Sequence, residues 1–407
     1  MLVLFLLILI FGNTIHNGVS EEDKLLLVHT IWRHGDRAPI TTYPTDPNGE
    51  NRWPFGFGEL TELGMRQQYS LGHLLRKRYI LDNKFINVNR TLSSAQANLA
   101  GMFPMGVPGI DIPDLPKKWP SRWTPIPIHT VPIYTDNIGN LDAFCPRAEQ
   151  LFTKIRTSPA YLKVKNENAK FFEYISEKTK MNFTLESIGL LDDIIYIENL
   201  YNMTQPEWLT KEIQQRIYNL TFIALDFYFG IEQQVYSPEM IRLRGGNLLG
   251  DVVKRIKLKL ECLNKNDSKC SWISNLKYFA YSAHDTTVAG FLCTLGDEES
   301  VAGTALPTIP PRFPLNYGKL KNSLPPSISS KILPITGLTK GCPEGKELCP
   351  ANIFTERSIK FIPININKEC KKREENFEKI EKNLNLSIIN CKMDKNEFKN
   401  IYLNKKK

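Results

Sequence analysis

The sequence predicts an α/β fold in which a central sheet is formed from the two ends of the chain and interrupted by a helical subdomain. Two short apolar runs carry the expectation, Leu25 to Trp32 and Lys277 to Tyr281. Each is too short for a helix and opens into a loop with reactive side chains, Arg33-His34-Gly35-Asp36-Arg37-Ala38-Pro39 and Ser282-Ala283-His284-Asp285. Such runs read as buried strands, and open α/β sheets bind ligands beyond the carboxyl ends of their strands. The third observation is a change of pattern: from Leu151 to Phe229, Glu- and Lys-rich helical faces replace strand-like segments.

Taken in order, Met1 to Phe11 is almost wholly apolar, residues 1–20 carry no charged side chain, and Gly18-Val19-Ser20 places small residues before Glu21. Residues 1–20 are therefore expected to be a signal peptide. The run is too short to span a bilayer, and no later run is long enough, so no transmembrane segment is expected. Thr41 to Gly58 is turn-rich, and Thr61 can cap a helix that carries Leu63, Leu71, Leu74 and Leu75 through to Tyr79. A second helix is expected over Gln96 to Ala100, followed by Pro-rich irregular chain from Pro104 to Pro132. The helical subdomain spans 151–229, and Arg242-Leu-Arg-Gly245-Gly246 is expected to end the helical region. Leu248, Leu249, Val252, Val253, Ile256 and Leu260 then form the buried stripe of a returning helix. After the second strand, Val288 to Leu295 reads as a helix closed by Gly296 at C′. Residues 297–334 are Pro-, Ser- and Gly-rich without periodicity, and 371–407 form a basic charged tail.

The 407 residues are 42% hydrophobic, which places the chain among globular proteins. The net charge is +9, but Lys368 to Lys407 alone hold twelve Lys and Arg against seven Asp and Glu, so much of the surplus is local. No aromatic-basic interleaving or zinc spacing accompanies it, so no nucleic-acid partner is expected. Eight cysteines between Cys145 and Cys391 suit an oxidising compartment. Glycosylation sequons at Asn182, Asn202 and Asn219, with two more at Asn266 and Asn385, point the same way, to a secreted or lysosomal protein.

The two loops carry the chemistry. Two guanidiniums four positions apart, beside an imidazole and a glycine, make a compact cationic cup. Guanidinium forks match phosphate oxygens bidentately, and histidine can act as a nucleophile or a proton carrier. The plainer alternative is a basic turn with solvated arginines. His284 and Asp285 stand where a helix begins, a place that favours anions. Asp is also a preferred N-cap, so position leaves capping and catalysis equally open for Asp285. His29 reads as a core residue and His73 as a surface one, and no His/Asp/Glu cluster has metal-ligand spacing. Neither a metal nor another cofactor is expected.

Arg33 to Pro39 together with Tyr281-Ser-Ala-His284-Asp285-Thr-Thr287 resembles the histidine acid phosphatases of the prostatic and lysosomal type. The likeness extends through Gly56 to Met65, Arg90-Thr-Leu-Ser-Ser-Ala95, Trp123 to Pro132, Cys145-Pro-Arg147, Arg242 to Gly246 and Gly341 to Phe354, and covers Leu25 to Cys370. The resemblance implies a central mixed sheet flanked by helices, of the phosphoglycerate-mutase-like kind, within a domain spanning 21–370. It implies hydrolysis of small phosphate monoesters through a phosphohistidine. His34 would be the nucleophile and Asp285 the proton donor to the leaving group, with Arg33, Arg37, Arg90 and His284 holding the phosphoryl oxygens. Disulfides Cys145–Cys370 and Cys342–Cys349 follow from the resemblance, whereas Cys262–Cys270 is inferred from the short separation. Dimerisation is suggested by the resemblance alone.

The chain departs from the family at two places. Only Asp82 to Asn89 precedes Arg90 where a long strand is usual, and 297–334 lacks strand character where an edge hairpin is usual. These departures and the basic tail motivate a second reading, a catalytically inactive, secreted phosphatase-like binding protein. Specificity within the enzyme reading, phytase-like or for sugar phosphates, stays open.

Overall fold

The apolar run from Leu25 to Trp32 does not alternate with polar residues because helices cover both of its faces. This is seen in the computed structural model, which describes residues 6–12, 24–79, 89–103, 124, 128–263, 265, 267–296, 339, 341–343 and 349–373. Strands β1 (Leu6–Gly12), β2 (Lys24–Arg33) and β3 (Tyr278–Ala283) form a sheet in the order β1-β2-β3 among the described residues. β2 pairs antiparallel with β1 and parallel with β3. On one face, Leu27 and Ile31 pack with Leu249, Val252 and Phe291. On the other, Val28 and Trp32 pack with Leu71, Leu75, Leu99 and Met102. A strand buried on both sides has no need of polar alternation.

The sheet so described is smaller than the central mixed sheet expected. The shortened strand before Arg90 and the 297–334 segment fall largely on residues 80–88 and 297–338, outside those described. β1 lies inside the stretch expected to be a signal peptide, and here its backbone extends the sheet beside β2. A short run rich in Leu and Ile suits either fate.

Helix α1 (Glu62–Tyr79) starts at Thr61, whose hydroxyl accepts from the Gly64 N–H at 3.1 Å. Helix α2 (Asn89–Met102) is longer than the Gln96–Ala100 expectation and lies across α1. A Cβ on Gly72 would sit 1.8 Å from the Asn98 carbonyl oxygen, and one on Gly101 2.1 Å from that of Tyr69. The two backbones therefore touch, which no larger residue permits. Helices α3 (Pro146–Arg156), α4 (Pro159–Glu167), α5 (Ala169–Thr179), α6 (Ile188–Leu200) and α7 (Lys211–Phe229) fill the region expected to be helical. They enclose a core of Phe172, Ile175, Phe183, Leu191, Ile217 and neighbours.

Other helix ends also differ from the sequence reading. Arg242 to Gly246 does not end the helical region but lies within helix α8 (Pro238–Glu261). The glycines are there for close approach: a Cβ on Gly245 would meet the Gly290 oxygen at 1.9 Å, and one on Gly246 the Phe361 oxygen at 1.9 Å. Gly290 belongs to helix α10 (Asp285–Leu295), which follows the short α9 (Ser271–Ser274) and β3. Gly296 closes α10 in an extended conformation, φ −68° and ψ 165°, so it is not a left-handed C′ residue. Lys259 of α8 donates from Nζ to the carbonyls of Ile273, Ser274 and Leu276 at 2.8–2.9 Å, fixing the turn that feeds β3.

Helices α11 (Ala351–Ser358) and α12 (Ile366–Glu369) complete the described chain. Disulfides join Cys145 to Cys370, Cys262 to Cys270 and Cys342 to Cys349, and Cys293 is a buried thiol. Cys391 lies outside the described residues. The Cys145–Cys370 bridge closes a loop of 225 residues, and the Arg147 N–H donates to the Cys370 carbonyl at 2.9 Å beside it. Replacing both cysteines by Ser is expected to lower unfolding free energy by about 2–5 kcal/mol, mainly through the entropy released in the unfolded chain. Urea denaturation at fixed pH measures this, and an unchanged midpoint would show that the noncovalent contacts around the bridge suffice alone.

Candidate active site

The parallel register of β2 and β3 ends with Trp32 opposite Ser282 and Arg33 opposite Ala283. The next residues are His34 and His284, so the sheet itself brings the two motifs together. The His34 N–H donates to the Ala283 carbonyl at 2.8 Å, and the imidazoles lie edge to face with centroids 5.6 Å apart. His284 takes the N-cap position of α10, which leaves Asp285 as its first residue. Capping therefore does not account for Asp285.

His34 is buried, and its Nδ1 lies 2.7 Å from the carbonyl oxygen of Gly35. A carbonyl can only accept, so Nδ1 carries the proton and Nε2 keeps its lone pair. Burial, reinforced by the charges of Arg33 and Arg37, holds the His34 pKa well below the usual imidazole value. The neutral form of the ring is thereby favoured.

Each arginine of the first motif is held by a carboxylate. Arg33 Nε donates to Asp285 Oδ2 at 3.1 Å. Arg37 donates from Nη1 and Nη2 to the two oxygens of Asp193, at 2.9 and 3.3 Å. Burial opposes the charge on Arg33, but Asp285 and then Asp193 outweigh it and raise its pKa. Packing likewise disfavours the charge on Asp285, yet the guanidiniums of Arg33 and Arg37 hold its carboxyl well below the ordinary range. Asp285 also accepts from the Thr286 N–H at 2.8 Å, and half of its side chain stays exposed, at 50%.

The Gly35 to Asp36 backbone lies against α1 and α2. The Gly35 N–H donates to Ser94 Oγ at 3.0 Å, and the Asp36 N–H to Gln67 Oε1 at 2.8 Å. The Asp36 carboxylate accepts from Thr61 at 2.7 Å and from the Tyr201 hydroxyl at 2.5 Å. Burial raises its pKa, and the hydrogen bonds from Tyr201 and Thr61 offset part of that rise. Arg90 lies in the first turn of α2, and its side chain is outside the described residues. Asp36, Asp193, Tyr201 and Ser94 were not singled out from the sequence. Asp36 stands inside the first motif and Ser94 inside the Arg90 to Ala95 stretch, and both were legible there; Asp193 and Tyr201 are isolated polar residues on a helix and at its end, with no local signal.

The sequence pattern of the family described as Histidine phosphatase superfamily (branch 2) matches residues 24–326. The lysosomal acid phosphatase of Rattus norvegicus is 32% identical over 370 residues, covering 86% of this chain and 81% of its own length. The prostatic acid phosphatase of Bos taurus is 34% identical over 308 residues, covering 71% of this chain and 73% of its own. Among solved structures, the apo form of Hafnia alvei phytase superposes with a TM-score of 0.51 at 14% identity, over 86% of this chain and 98% of that one. That last likeness is one of fold.

Gly64 tests how tightly the loop is clamped. A Cβ there would fall 2.0 Å from the Asp36 carbonyl oxygen. Helix propensity alone favours Gly64→Ala by up to about 1 kcal/mol. Overpacking against fixed backbone instead predicts a loss of about 1–3 kcal/mol. Thermal unfolding decides by its sign: a raised midpoint would show that α1 can move away from the loop freely.

Proposed function

We propose that this chain, which belongs to the histidine phosphatase superfamily (branch 2), is an acid phosphatase that hydrolyses small phosphate monoesters through a phosphohistidine. The observation that carries the reading is the meeting of His34, Arg33 and Arg37 with His284 and Asp285 at the carboxyl ends of two parallel strands. The relatives are acid phosphatases, which does not favour the inactive binding-protein reading.

In this mechanism His34 Nε2 attacks phosphorus. The bond to the ester oxygen breaks, and Asp285 gives that oxygen its proton. Water then attacks the phosphohistidine, Asp285 takes a proton from it, and His34 leaves as the neutral imidazole. Arg33, Arg37 and Arg90, with His284, hold the equatorial oxygens, where most of the catalytic stabilisation resides. Guanidiniums thus provide the positive charge, and no metal or cofactor is assigned a role.

Asp285 needs a proton to act as an acid, and its neighbours hold it ionised. A phosphoryl dianion drawn against Arg33 and Arg37 adds negative charge beside the carboxyl, which raises its proton affinity. An acidic medium supplies the remainder. The lowered pKa of His34 favours its unprotonated, nucleophilic form there.

Export to the lysosome or the cell exterior is part of the same proposal. Asn182, Asn202 and Asn219 are all exposed, as glycosylation requires. Among the described residues no helix is long and apolar enough to cross a membrane. A signal peptide at 1–20, a basic tail at 371–407 and a homodimer complete the reading.

The expected kcat/KM for an aryl phosphate is highest on the acid side of neutrality. It falls as pH rises, because the proton on Asp285 is lost, and it persists well below the usual imidazole pKa. His34→Ala should abolish turnover, and Asp285→Asn should reduce it by roughly 10²–10⁴-fold. Steady-state kinetics across pH test all three, and unchanged turnover in either variant removes the mechanism.

A further inference from the structure

Helix α6 contributes a carboxylate to this site that neither motif contains. The Arg37–Asp193 pair is bidentate and largely shielded, with side chains 11% and 17% exposed. Arg37 Nη1 has a second acceptor in the Ala38 carbonyl at 3.2 Å. Its Nε is shut off from solvent without a partner. Both Nη1 protons and one on Nη2 are thus committed, and the planar fork leaves the guanidinium a single orientation. A carboxylate close to an anion site weakens that site by repulsion. Its presence is accounted for if the cation beside it must be held in place.

We propose that Asp193 is a positioning residue for Arg37, fixing its guanidinium so that the remaining Nη2 proton serves the phosphoryl group. The assignment rests on the phosphatase reading above, in which Arg37 binds substrate. Asp193 also draws on Arg33 electrostatically, so one carboxylate acts on both cations of the first motif. The helical stretch between the motifs thereby takes part in building the phosphate cup.

A double-mutant cycle tests this on the full chain, with orthovanadate as the probe. Binding is read by titration calorimetry, and kcat/KM for an aryl phosphate is read in parallel. Asp193→Ala should weaken vanadate binding and lower kcat/KM by about tenfold or more, the scale of one charged hydrogen bond. The Asp193→Ala, Arg37→Ala double variant should be no worse than Arg37→Ala, because a positioning residue has nothing left to position. Asp193→Glu should recover part of the loss. If Asp193→Ala fails to fold by circular dichroism, Asp193→Asn, of the same shape, replaces it in the cycle. Wild-type affinity in the Asp193 variants, or losses that add in the double variant, overturns the proposal. Wild-type protein that binds vanadate but turns nothing over overturns the phosphatase reading while leaving the cycle readable. Absence of vanadate binding in wild type overturns both.

Discussion

The parallel pairing of β2 with β3 is the constraint from which the site follows. Its register places His34 beside His284 and Arg33 beside the start of α10, although the motifs come from opposite ends of the chain. A slip of one residue would turn Leu27, Ile31, Val28 and Trp32 to the wrong faces, away from the two cores that hold them. Core packing and site geometry are therefore secured together. The surrounding helices reinforce the register, since α8 crosses α10 at Gly245 and Gly290, and Lys259 holds the turn entering β3.

Electrostatic balance is the second theme. Placing several charges in a partly buried loop is costly unless each has a partner, and removal of one partner leaves the other exposed to that cost. Arg33 is matched by Asp285, Arg37 by Asp193, and Asp36 by the hydroxyls of Thr61 and Tyr201. His34 escapes the problem by staying neutral, and the Gly35 carbonyl settles which nitrogen keeps its lone pair. The same arrangement that stabilises the loop supports the chemistry proposed for it.

Glycines perform a less obvious service. Gly35, Gly64, Gly72, Gly101, Gly245 and Gly246 all stand where a Cβ would run into a neighbouring backbone. They let α1 and α2 close over the first motif and α8 close on α10. In the sequence, Gly245 and Gly246 read as punctuation at the end of a helical region. In the folded chain they are contact points in the middle of a helix.

The sequence by itself determined the two motifs, the apolar strands that present them, the α1 cap at Thr61 and the helical character of the stretch from Leu151 to Phe229. These are local patterns of polarity and residue type, and local patterns are what a single chain displays. Tertiary structure alone decided that Asp193 grips Arg37, that Tyr201 reaches Asp36 and that Ser94 meets the Gly35 amide. It also decided that His284, not Asp285, caps α10. The physical reason is the same in each case: a single polar residue on a helix carries no periodic or spacing signal. Its role exists only once another segment, distant in sequence, is packed against it.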